Sequence, residues 1–192
     1  MGDLLSKNLS TLIEIKKEEI EEFESFLIKR TVSKKHNLLN QGSVCKFVAF
    51  INKGCLRSYS VDANGIEHIA QFGVENYWIA DLYSFLNQTP ATLNIEAIED
   101  TEVLLLEHAN LEKLYRSIPS LERYFRILFQ NAYTSTQRRL NSTLSISAAD
   151  RYSDLITAYP ELIKRVPLIH IASYLGIQGP SLSRIRKRMM NK

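Results

Sequence analysis

After Glu161 the chain contains no acidic residue, and from Ser58 to Glu112 it contains no lysine or arginine. The first absence leaves seven bases unopposed: Lys164, Arg165, Arg184, Arg186, Lys187, Arg188 and Lys192. The second sets ten Asp and Glu against no base, so a pocket lined from that stretch would repel a phosphate anion. There are only two cysteines, Cys45 and Cys55, and neither has a Cys or His partner at metal-ligand spacing. That argues against a structural zinc or an iron–sulfur cluster. The four histidines, His36, His68, His108 and His170, share no metal-like spacing either, so no metal, haem or other cofactor is expected. The seven glycines are scattered and build no phosphate-cradling loop. No Gly-x-Ser-x-Gly and no paired-His motif occurs, so no enzymatic activity is expected. No apolar run approaches eighteen residues, and no basic segment followed by an apolar one opens the chain. A cytoplasmic location without a membrane partner is expected. Met1-Gly2 with Ser6 echoes an acylation motif, but an ordinary N-terminus is the plainer reading.

What is present is a globular composition, 45% apolar and 23% charged over 192 residues, enough for a real core. The net charge of +3 is unevenly divided. The first 161 residues carry 17 bases against 21 acids, so a basic end sits on an acidic body. Such asymmetry points to a polyanion partner or to a solvated charge run. Position on a helix must decide between them.

Residues Lys16–Leu27 have helical periodicity, with Ile20, Phe23 and Leu27 at i, i+3 and i+7. From Arg30 to Glu107 short β-rich runs follow: "KFVAFINKG", "CLRSYSVD", "IEHIAQFG", "LNIEAIED" and "TEVLLLEH". Turn signals separate them, among them Asn64-Gly65 between alternating runs, a strong hairpin signal. Short strands at this spacing predict a small barrel, sandwich or jelly roll. After Glu107 the chain is helical. A short helix ends before Pro119, and a long one starts near Ser120. Leu121, Phe125, Leu128 and Ala132 recur on it at intervals of four, three and four, the spacing of a coiled-coil seam. The seam turns polar at Ser135 and Arg139, and spacing alone leaves open whether it meets an identical partner or the chain's own β domain. Ser147, with Asp150 three residues on, predicts a capped helix that Pro160 ends.

At the C-terminal end Pro167 opens a helix with Leu168, Ile171, Ala172 and Leu175 on one stripe. Gly176 stops it and Pro180 starts another, the pattern of a helix-turn-helix. At 100° per residue the second helix gathers Leu182, Ile185 and Met189 into an apolar stripe. Ser183, Arg184, Lys187 and Asn191 lie opposite, Ser181 and Arg188 flank them, and Arg186 lies nearer the apolar side. A basic, hydroxylated helix face fits the DNA major groove. Lysine and arginine neutralise phosphates, and orphan N–H groups near Ser181 would add to this at the helix start. Arg184 is the expected bidentate partner of a guanine.

The stretches "RYSDLI", "IHIASYLGI" and "LSRIRK" resemble the C-terminal domain of the Crp–Fnr family of bacterial transcription regulators. The order of parts is similar over nearly the whole chain. The resemblance implies an α+β fold: a jelly-roll or β-roll sensory domain at 1–118 like those that bind cyclic nucleotides, a long dimerisation helix at 119–145, and a winged-helix-type helix-turn-helix domain at 146–192. The family's wing hairpin follows the reading helix, and this chain stops just after that helix, so a truncated wing is expected. The resemblance adds to the dimer reading and places Ser181, Ser183, Arg184 and Lys187 at or near the groove; Gln178, Arg186 and Arg188 complete the expected DNA contacts.

Members that bind cyclic AMP carry Gly-Glu and then Arg-Ser or Arg-Thr in a phosphate cassette. Here Ala80-Asp81 and Ala91-Thr92 stand in those places, and the arginine is absent. Arg57, or Arg138 and Arg139 on the long helix, would have to compensate. An effector pocket would be lined by Trp78, Ala80, Asp81, Tyr83, Ala91 and Thr92, with Thr136 and Gln137 added by the resemblance. For the aromatic cluster of Tyr77, Trp78, Tyr83 and Phe85, ordinary core packing is the plainer reading.

The expected function is a homodimeric, DNA-binding transcription regulator whose β-roll senses something other than cyclic AMP. Two alternatives stand beside it: a cyclic-nucleotide-responsive regulator, and a ligand-sensing module that binds protein and not DNA. The expected partners are double-stranded DNA, a second copy of the chain, RNA polymerase, and a small-molecule effector whose identity the sequence leaves open.

Overall fold

A computed structural model describes residues 3–190; Met1, Gly2, Asn191 and Lys192, each invoked above, lie outside the described residues. Helices α1 (Asp3–Leu12) and α2 (Lys17–Ser25) come first. Strands follow: β1 (Leu27–Val32), β2 (Asn37–Leu39), β3 (Phe47–Lys53), β4 (Leu56–Val61), β5 (Glu67–Gly73) and β6 (Trp78–Ile79). Helix α3 (Leu82–Asn87) precedes β7 (Asn94–Ala97) and β8 (Thr101–Glu107). The remainder is helical: α4 (His108–Ser117), α5 (Ser120–Ser145), α6 (Ala148–Ala158), α7 (Pro160–Arg165), α8 (Leu168–Tyr174) and α9 (Gly179–Met190).

The strands form two four-stranded sheets, in the orders β1-β8-β3-β6 and β2-β7-β4-β5. In the first, β8 pairs antiparallel with β1 on one side and β3 on the other, with Leu106 opposite both Leu27 and Val48. A strand paired on both edges and covered on both faces reads as a continuous apolar run. Val103, Leu104, Leu105 and Leu106 are accordingly all buried. The Asn64-Gly65 signal is the β4–β5 hairpin. Gly65 sits at φ +78, and Asp62 Oδ1 accepts from the backbone of Asn64 and Ile66, which locks the turn.

Two compact units arise. One comprises residues up to Ser58 together with Phe72–Ala132; the other comprises Tyr59–Gln71 and residues from Tyr133 onward. In the first unit Phe125 is the centre of an aromatic cluster, with Phe23, Trp78, Tyr115, Tyr124 and Phe129 rings 5.2–6.4 Å away. Part of the expected dimer seam is taken up within the chain itself. Leu121 and Phe125 are 0% and 2% exposed and belong to the chain's own core, and Leu128 packs against it. Only Ala132 of that set is exposed. Three helices are not marked by the periodicity of the sequence: α1, α3, and α7, which Pro160 opens as it closes α6.

Candidate nucleic-acid interface

The second unit is held together by apolar residues at helical spacing. Tyr152 and Leu155 of α6, Leu162 of α7, Ile171 and Ala172 of α8, Leu175 at the end of α8 and Leu182 of α9 are buried. Ser147 caps α6 as expected: its Oγ accepts from Asp150 N and donates to Asp150 Oδ2. Arg151 was not singled out from the sequence except as part of a resembling stretch. Its guanidinium donates to Ile146 O at 2.6 Å and to Leu175 O at 2.8 Å, so it caps the ends of both α5 and α8. No local signal marks it, because a base within a helix looks the same in sequence whether it holds carbonyls or faces water.

The turn between α8 and α9 has the two hydrogen bonds of a Schellman motif. Ile177 N donates to Ala172 O, and Gly176 N donates to Ser173 O. Gly176 occupies the left-handed position at φ +69, and a Cβ there would meet open space. Gly176→Ala should therefore cost only the left-handed backbone penalty, about 1 kcal/mol. Thermal unfolding of the variant measures it, and Gly176→Asn should recover most of the loss.

On α9, Leu182 faces inward at 1% exposure, and Ser183, Arg184, Lys187 and Arg188 face solvent. Ser181 and Arg186 are half-buried, and Gln178 is exposed just ahead of the helix. Gln178 O accepts from both Ser181 N and Leu182 N. The expected orphan donor at Ser181 is thus already used. Because Pro180 has no N–H, the helix start offers a phosphate less than anticipated. Among the described residues none of the four cations of α9 is in an ion pair. Ser183, Arg186, Lys187 and Met190 line an open depression of about 330 Å³. Two members of the expected apolar stripes are exposed, Met189 and Leu168, because the packed unit is small and neither position reaches its centre. Ile185 is half-buried.

The anticipated effector residues are largely occupied by the fold of the first unit. Asp81 is 2% exposed and caps α3. Its Oδ1 accepts from Ser84 N, and its Oδ2 from Thr92 N, Thr92 Oγ1 and Leu93 N. No acceptor position is left facing a sugar hydroxyl. Trp78 lies between Phe50 and Phe125, and its Nε1 donates to Tyr124 Oη at 2.8 Å. That hydroxyl donates on to Asn8 Oδ1, and burial pushes its pKa well above the ordinary phenol value. Ala91 is buried, Ala80 half-buried and Tyr83 exposed. Phe85 is buried against His108, whereas Tyr77 is exposed. Thr136 and Gln137 belong to the other unit, and Gln137 Nε2 donates to Tyr133 Oη. Of the arginines that would have to compensate, Arg57 is buried with Glu96 at 2.8 Å. Arg138 is exposed, and Arg139 donates to backbone carbonyls.

Residues 29–117 match the family profile of the cyclic nucleotide-binding domain. No curated protein matches the chain. Among solved structures, FixK2 from Bradyrhizobium japonicum is 18% identical with a TM-score of 0.73, over 86% of this chain and 85% of that one. The c-di-GMP-responsive global regulator CLP of Xanthomonas campestris is 12% identical with a TM-score of 0.74, over 92% of each chain. The Thermus thermophilus catabolite activator protein is 17% identical with a TM-score of 0.61, over 96% and 87%. At these identities the likeness is one of fold, and it matches the α+β architecture expected from the sequence. No described helix is long and apolar enough to cross a membrane.

Proposed function

We infer that this chain, which has the fold of Crp–Fnr transcription regulators and a cyclic nucleotide-binding-like domain over residues 29–117, is a sequence-reading, DNA-binding regulator that acts as a homodimer in the cytoplasm. One observation carries the reading: four cations of α9, none neutralised by a described carboxylate, on a helix anchored through Leu182 in a packed helical unit. A binding role accounts for that face where catalysis does not. Gln178, Ser181, Ser183, Arg184, Arg186, Lys187 and Arg188 are the proposed DNA contacts. We assign residues 1–118 to sensing, 119–145 to dimerisation and 146–192 to DNA reading, with RNA polymerase as a further partner.

The dimer surface proposed here differs from the expected seam. Tyr133, Leu140 and Leu144 are exposed on α5 and fall within an arc of about 40° on the helix, roughly 110° round from the Leu121 stripe. Two such chains related by a two-fold axis would place their reading helices in successive major grooves about 34 Å apart, on a near-palindromic site.

Selection of bound sequences from random DNA, followed by affinity against salt, tests the reading. Arg184→Ala should cost ~1–3 kcal/mol on the selected site and relax one base position. Lys187→Ala should weaken all sequences alike and reduce the salt slope by about one. Absent or salt-insensitive binding would favour the protein-interaction alternative. The match of residues 29–117 favours a cyclic-nucleotide response as the second reading. Against it stand the saturated Asp81, the Arg57–Glu96 pair and the base-free stretch from Ser58 to Glu112. Calorimetry with cyclic AMP and cyclic GMP decides between them. We propose an effector that is uncharged or cationic.

A further inference from the structure

Strand β5 is the outer strand of its sheet, and an outer strand presents unpaired N–H and C=O groups. In the second unit those groups are claimed by side chains of the helical segment. Ser173 Oγ donates to Glu67 O at 2.7 Å and accepts from Ile69 N at 3.0 Å, so one hydroxyl serves both backbone groups. Arg139 extends the same edge. Its Nη1 donates to Ala70 O, and its Nη2 to Ile69 O at 2.9 Å and Tyr174 O at 3.3 Å. The guanidinium also lies 4.3 Å over the Tyr174 ring. Burial pulls the Arg139 pKa down and pushes the Tyr174 pKa up, as expected where water is excluded.

Ser173 and Tyr174 form the last turn of α8. Ser173 O accepts from Gly176 N, so Ser173 also holds the turn that aims α9. The reading face of α9 stays exposed, so the contact restrains the helix pair without covering it.

We propose that Ser173 and Arg139 are positioning residues: they strap the β4–β5 hairpin to the end of α8 and thereby hold the reading helix in its binding pose. This rests on the DNA-reading assignment made above. If the strap sets the population of the binding pose, releasing it lowers apparent affinity in proportion to the population lost. Arg139 donates to carbonyls in this arrangement, so its removal takes away no phosphate contact.

The test uses the full-length chain with Ser173→Ala, Ser173→Thr and Arg139→Met, on DNA selected by the unsubstituted protein. Ser173→Ala and Arg139→Met should bind roughly threefold to tenfold more weakly, with unchanged base preference and salt slope. Ser173→Thr keeps the hydroxyl and should stay within about twofold of the unsubstituted chain. Amide exchange by mass spectrometry should rise in residues 66–71 and 168–178 of the two weakened variants. Faster exchange with unchanged or tighter DNA binding would overturn the proposal. So would unchanged exchange, or a salt slope reduced by Arg139→Met. Should the unsubstituted chain bind no DNA, it is the DNA-reading assignment that has failed. The strap then stands if Ser173→Ala speeds exchange both in residues 66–71 and in 176–190, and falls if the change stays within the hairpin.

Discussion

Replacing Phe125 with Ala should destabilise the first unit by about 3–5 kcal/mol, the usual loss for a fully buried aromatic side chain. Phe125 is 2% exposed and touches five other aromatic rings, so truncation leaves a cavity that rigid neighbours cannot fill. Urea unfolding followed by the fluorescence of Trp78, the single tryptophan and an immediate neighbour of Phe125, reads the loss directly. The double variant Leu140→Lys, Leu144→Lys should behave in the opposite way. Both side chains are exposed, Leu144 at 77%, so stability in the isolated chain should change by no more than about 0.5 kcal/mol. Four added charges facing each other across a two-fold axis should instead abolish self-association in sedimentation velocity. A dimer that survives the double lysine variant, or is lost with Phe125→Ala at a concentration where the fold persists, would return the seam to the Leu121 stripe.

Asp81→Ala should cost about 3 kcal/mol. The substitution removes the cap of α3, worth about 1 kcal/mol, and takes the acceptor from the part-buried backbone N–H groups of Thr92 and Leu93, at about 1 kcal/mol each, the low end for groups that water can partly reach. Asp81→Asn should recover only part of this, because its amide can still accept from Ser84 N but would turn N–H toward two N–H donors. The prediction separates two roles for one carboxylate. A ligand-binding aspartate in an open cavity would leave unfolding unchanged and alter only ligand affinity. Trp78 fluorescence through a urea titration distinguishes them.

The parts of the interface legible in the sequence are those set by local chemistry. Gly176 between two periodic segments marked a left-handed stop, because only glycine reaches φ +69 without penalty. The 100° spacing of Arg184 and Lys187 against Leu182 put the bases on the side away from the packed unit. Asn64-Gly65 marked its hairpin, and Ser147 with Asp150 marked its cap. Arg151 and Arg139 went unread as positioning residues, since nothing local tells a base that holds carbonyls from one that faces water. The place of Asp81 in the cassette is visible and suggests a ligand contact, whereas its four donors lie three, eleven and twelve residues further along the chain.

By itself the sequence determined the succession from a β-rich to a helical half, the basic face of α9 and the lack of any lysine or arginine from Ser58 to Glu112, because periodicity, turn chemistry and charge are properties of neighbours along the chain. Tertiary structure alone decided which apolar stripe of α5 belongs to the core and which is exposed. It also decided which polar groups are already satisfied. Both depend on what packs against a side chain from distant segments: Phe23 and Trp78 on Phe125, Glu67 and Ile69 on Ser173.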